Sequence, residues 1–182
     1  MDNLDTLLVA FMFITILTLG IASILGELAE AVRSPERRSG DRLLFGWVLL
    51  LLFAYFDLFW HTADIGLLGE WKFHLFLFAE TGPILLLFAT NIVLGAARED
   101  PQTETPEALN RSGFFWIFAL VHVWEVFAGF VLGTGFTTGS AIAAVIGAIC
   151  VALALTNQRR IHVLGLAWIA LLYIATAVVS NY

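Results

Sequence analysis

Charge is what this sequence most lacks. Asp, Glu, Lys and Arg together make up 13% of its 182 residues, about half the share of an ordinary soluble domain. Its nine basic residues form no cluster, so no nucleic-acid-binding face is expected. Cysteine is scarcer still. Cys150 is the only one, which excludes both an intrachain disulfide and a thiolate metal cluster. The signatures of soluble enzymes are missing too: there is no Walker loop, no nucleophile elbow and no His-Glu-x-x-His. The first apolar run follows Asp2 and Asp5 rather than a basic stretch and has near-spanning length, so a cleaved signal peptide is not expected.

Apolar residues fill the space that charge leaves. They make up 60% of the chain, and the mean hydropathy is +0.89. A single 20.0 kDa core cannot hide that much apolar surface, so lipid must cover much of it. The runs between polar breaks predict spans near 5–27, 43–66, 73–97, 113–133, 138–156 and 161–180. At about 1.5 Å of rise per residue each crosses roughly 30 Å of hydrocarbon, the fifth only just. The expected fold is all-α, a polytopic integral membrane bundle of about six transmembrane helices forming one domain over 1–182.

The arginines orient this bundle. Arg33, Arg37, Arg38 and Arg42 fall in the first break, Arg98 and Arg111 flank the third, and Arg159 and Arg160 mark the fifth. The second break has only Lys72, and the fourth has no basic residue. All the arginines therefore lie on one side, which the positive-inside rule makes cytoplasmic, with both chain ends on the other side of a cell (inner) membrane.

An ionisable group at membrane depth is costly and points to function by default. On the second span Asp57 and His61 are four residues apart, which stacks them on one helix face. His74 enters just after the following turn, so a carboxylate and two imidazoles are expected to converge near the non-cytoplasmic surface. That donor set suits copper, zinc or iron; an isolated Asp–His pair would equally serve as a hydrogen-bonded tie between helices. A second polar set comprises Glu80 and Asn91 on the third span with His122 and Glu125 on the fourth. It reads either as an interhelical hydrogen-bond network or as a second metal or proton site. Ser140, Ala144 and Ala148, with Ala143 and Gly147 beside them, give the fifth span a small-residue surface for close helix approach. His162, next to Arg160, is expected at the interface.

The spacing Asp57-x3-His61-x12-His74, with Trp60 immediately before the first histidine, resembles the metal site in one of the integral membrane subunits of the particulate methane monooxygenase and ammonia monooxygenase family. The match covers about eighteen residues. Between the histidines, Asp64 alone stands where the family carries an acidic stretch, and Phe118 replaces the asparagine expected four residues before His122. The resemblance implies a copper-binding membrane subunit of an oxidoreductase complex, with Asp57, His61 and His74 as ligands. It also implies other membrane subunits as partners, the lipid bilayer around them and a small apolar substrate. Two other functions fit the same residues: a haem- or quinone-binding anchor using His61 and His122, and a proton or ion transporter using Asp57, Glu80, His122 and Glu125.

Overall fold

The computed structural model describes residues 2–33, 42–60, 71–98, 107–131 and 135–179. Within them the chain forms six helices: α1 (Asp2–Arg33), α2 (Arg42–Trp60), α3 (Phe73–Arg98), α4 (Glu107–Val131), α5 (Thr138–Ala154) and α6 (Arg159–Val179). No strand occurs among the described residues. α1, α2, α3, α4 and α6 are each long and apolar enough to cross a membrane, and α5 is a 17-residue apolar helix. The protein is an all-α multi-pass membrane bundle.

Helix ends shift relative to the hydropathy boundaries for a physical reason. α1 continues past residue 27 to Arg33, and α4 begins at Glu107 rather than 113. In both places polar residues extend the helix beyond the apolar run, because a helix in water needs no apolar side chains to keep its backbone bonds. Residues 61–66 of the second predicted span lie outside the described residues. α5 starts on a reciprocal cap. Thr137 Oγ1 accepts the Ser140 N–H at 3.2 Å, and Ser140 Oγ accepts the Thr137 N–H at 3.3 Å. Before it, Gly135 adopts a φ of 73°, a conformation open to glycine, and its N–H donates to the Gly129 carbonyl at 2.7 Å.

The outer surface suits hydrocarbon. Phe11, Phe53, Phe88, Phe127 and Trp168 are each more than half exposed, an arrangement that water would penalise. The exposed hydroxyls of Thr15, Thr18, Ser23 and Thr81 all turn back onto the carbonyl four residues earlier, at 2.7–2.8 Å. A hydroxyl bonded within its own helix needs no water.

α4 is central, packed against α3 on one side and α5 on the other; α1 packs on α2 and α3, and α6 on α5 and α2. Three residue pairs set the register. Ser112 near the start of α4 donates to the Ala154 carbonyl that ends α5, Trp124 of α4 reaches Phe78 of α3, and Tyr55 of α2 meets Thr90 of α3. α1 and α3 therefore end, and α2 and α6 begin, at one arginine-bearing end of the bundle. There Trp47, Phe114, Phe115 and Phe118 interlock by edge-to-face and stacked ring contacts. His162 belongs to this layer rather than to the interface. It is buried, stacks on Phe115, and its Nε2–H donates to the Thr156 carbonyl just past α5 at 2.9 Å. That donor satisfies one of the acceptors a helix end leaves over.

Small residues decide how closely the helices approach. On α5 the packed face is Ser140, Ala143, Gly147 and Cys150, whereas Ala144 and Ala148 face outward. A Cβ at Gly147 would lie 3.5 Å from His122 Cβ. At Gly82 of α3 a Cβ would lie 2.5 Å from the Trp124 ring, so only glycine admits that indole.

Candidate functional site

The best-connected intramembrane polar group is His122. Its position on α4 faces α5 and α6, and 1% of it is exposed. Both ring nitrogens have partners: Nδ1 lies 3.0 Å from Glu125 Oε2 and Nε2 lies 3.3 Å from the Tyr173 hydroxyl. With Glu125 ionised, Nδ1–H donates to the carboxylate and Nε2 accepts the Tyr173 O–H. The three-residue spacing along α4 is what allows Glu125 to reach the imidazole. Tyr173 comes from α6, so the contact spans two helices.

The set extends further. Asp57 on α2 and Cys150 on α5 stand within electrostatic range of the Tyr173 hydroxyl, as does Glu125. Acidic or proton-bearing side chains from α2, α4, α5 and α6 thus converge in the half of the bundle away from the arginines. Glu125 is the open side of the set, with 31% of its side chain exposed, while His122 and Tyr173 are buried. Toward the arginine-bearing end, the Phe118 ring lies edge-on to His122 and the interlocked aromatic layer follows.

The other predicted residues are distributed unevenly. Glu80 is buried on α3, and neither of its carboxylate oxygens has a hydrogen-bond partner among the described residues. Asn91 lies on an exposed face of α3, apart from the buried Glu80. Asp57 is half-buried in the last turn of α2, and His74 is exposed in the first turn of α3. His61 lies outside the described residues. Among the described residues, no three His, Cys, Asp or Glu side chains are grouped so as to hold a metal ion.

Tyr173 is the functional residue that residue-type scanning passes over. Its signal is position. Tyrosine favours the membrane interface, so one in the middle of the run Ala170–Ala177 needs an interior partner for its hydroxyl. Tyr55 follows the same rule and meets Thr90 Oγ1 at 3.0 Å. Trp124 likewise sends its indole N–H to the Phe78 carbonyl at 2.7 Å.

In comparisons with protein-family models, curated proteins and solved structures, nothing matches this chain.

Proposed function

We propose that this membrane protein moves protons, and that the working site is the chain Asp57, Tyr173, His122 and Glu125. The observation behind this reading is a buried imidazole held between a carboxylate and a phenol, at 3.0 and 3.3 Å. Imidazole can take a proton at one nitrogen and give one up at the other, which makes it a natural relay between two oxygen groups. A proton accepted by Glu125 passes to Nδ1 as Nε2 gives one to the Tyr173 oxygen, whose own proton moves on toward Asp57. Each step exchanges one O–H or N–H bond for another. The aromatic layer below His122 closes this path toward the arginine-bearing end, so the conformation is open on one side only. That is the condition a coupled transporter needs in order to avoid a leak.

The test is proton uptake by proteoliposomes loaded with a pH-sensitive dye, under an imposed membrane potential. Wild type should acidify the lumen faster than protein-free liposomes, and His122→Leu and Glu125→Gln should abolish the difference. Uptake equal to that of empty liposomes would overturn the reading.

A second reading concerns a metal. We infer that Asp57, His61 and His74 hold a copper ion (or zinc or iron in the same donor set) as part of an oxidoreductase complex with other membrane subunits. What favours it is that Asp57 ends α2 and His74 begins α3, so both border the connection that carries His61. These three side chains would supply one carboxylate and two imidazoles, and the bound ion would supply redox chemistry toward a small apolar substrate. A haem anchor through His122 is less favoured, because both of its nitrogens already have partners.

A further inference from the structure

Glu80 lies seven residues into α3, about 10 Å along the axis from Phe73. Only 3% of it is exposed. Neither carboxylate oxygen meets a donor among the described residues, and the surrounding turn of helix has none to offer. The Thr81 hydroxyl is committed to the Leu77 carbonyl at 2.8 Å. The Phe78 carbonyl already takes the Trp124 indole N–H at 2.7 Å. Pro83 has no N–H, so the carbonyl of Ala79 loses its helical donor. The Trp124 ring fills the space over Gly82 and closes this turn against α4.

This turn therefore gathers acceptors and lacks donors. A carboxylate in that position is tolerated when something positive accompanies it. The described lysine and arginines all lie at helix ends, and Lys72 is exposed. A divalent ion would call for further ligands, and among the described residues no group of three His, Cys, Asp or Glu forms. On the helices packed against α3, the titratable side chains in this half of the bundle are Asp5 (α1), Asp57 (α2), and His122 and Glu125 (α4). None of them is hydrogen-bonded to Glu80.

We propose that Glu80 is a proton-carrying site, a carboxylic acid held neutral within the bilayer and loaded from the end where α3 begins. It is separate from the His122 relay, and its protonation does not require that relay to conduct. The neutral acid has a chemical signature. It reacts with a lipid-soluble carbodiimide: the acid proton passes to a carbodiimide nitrogen while the carboxyl oxygen bonds to the central carbon. A carboxylate lacking that proton does not add in this way.

The experiment treats the lipid-reconstituted protein with dicyclohexylcarbodiimide, or in parallel with a water-soluble carbodiimide, and maps adducts by peptide mass spectrometry. The expected result is an adduct at Glu80 from the lipid-soluble reagent alone, unchanged by added sodium and absent in Glu80→Gln. Glu80→Gln should also keep the wild-type unfolding temperature, because the amide reproduces the size and neutrality of the acid. Protection of Glu80 by sodium would overturn the proposal in favour of a bound cation. Labelling of Glu125 or Asp57 with none at Glu80 would overturn it as well. Neither result would bear on proton uptake through His122, so the two proposals fail separately.

Discussion

The Tyr173 hydroxyl lies 3.3 Å from His122 Nε2, joining residues 51 positions apart on α6 and α4. Both groups are buried, and the imidazole's other nitrogen meets Glu125. Their hydrogen bonds thus tie α6 to α4 at the level where the polar side chains converge.

Removing that phenol separates the structural share of the contact from its role in proton movement. Tyr173→Phe keeps the ring and loses the O–H, leaving Nε2 without its partner. The expected stability cost is about 1 kcal/mol, the scale of hydrogen bonds between membrane helices, read from unfolding in mixed micelles. Proton uptake should fall to the level of empty liposomes even though the protein remains folded. Undiminished uptake would remove Tyr173 from the path.

Glycine at 82 and glycine at 147 should respond differently to the same substitution. Gly82→Ala would press a methyl group into the Trp124 ring, which is buried and pinned by its bond to Phe78. The expected loss is about 1–3 kcal/mol, typical of overpacking. Gly147→Ala would place its methyl at ordinary contact distance from His122 and should leave the unfolding temperature unchanged. Trp124→Leu should restore much of the stability lost in Gly82→Ala, and failure of that rescue would contradict the packing described.

The Tyr55–Thr90 hydrogen bond links α2 to α3. Thr90 also bonds to the Leu86 carbonyl of its own helix at 2.9 Å. Tyr55→Phe should therefore cost no more than about 1 kcal/mol, because the threonine hydroxyl keeps one partner. A much larger loss would mean that the phenol has a further role.

Metal content tests the second reading directly. Detergent-purified wild type should carry near-stoichiometric copper, and His61→Ala and His74→Ala should each lose it, with optical spectra recorded alongside. Equal metal content in all three proteins would dismiss the site. A haem absorption band abolished by His61→Ala and His122→Ala would point instead to an electron-transfer anchor.

Orientation can be read with one thiol at a time. Cys150 is buried, so Cys150→Ala gives a thiol-free background. In that background Arg160→Cys should react with an impermeant maleimide only after the cells are opened, and Lys72→Cys should react in intact cells. The reverse pattern would invert the assignment made from the arginines.

The sequence alone determined the class of the molecule. Six apolar runs and a one-sided set of arginines suffice for a membrane bundle, because hydrocarbon forces every backbone group to be satisfied within its own segment. Those constraints are local and can be read along the chain. They also marked His122 and Glu125 as a pair, since a spacing of three residues is a helix neighbourhood. Only tertiary structure decided which face of each helix turns inward. On α5, Gly147 and Ala143 are packed while Ala144 and Ala148 face out; on α3, Glu80 is buried while Asn91 is exposed. When almost every side chain on a helix is apolar, the hydrophobic pattern has too little contrast to select a face. The selection then rests on shape, such as the Trp124 indole over Gly82, and on distant hydrogen bonds such as the one between His122 and Tyr173. Neither is written into local spacing.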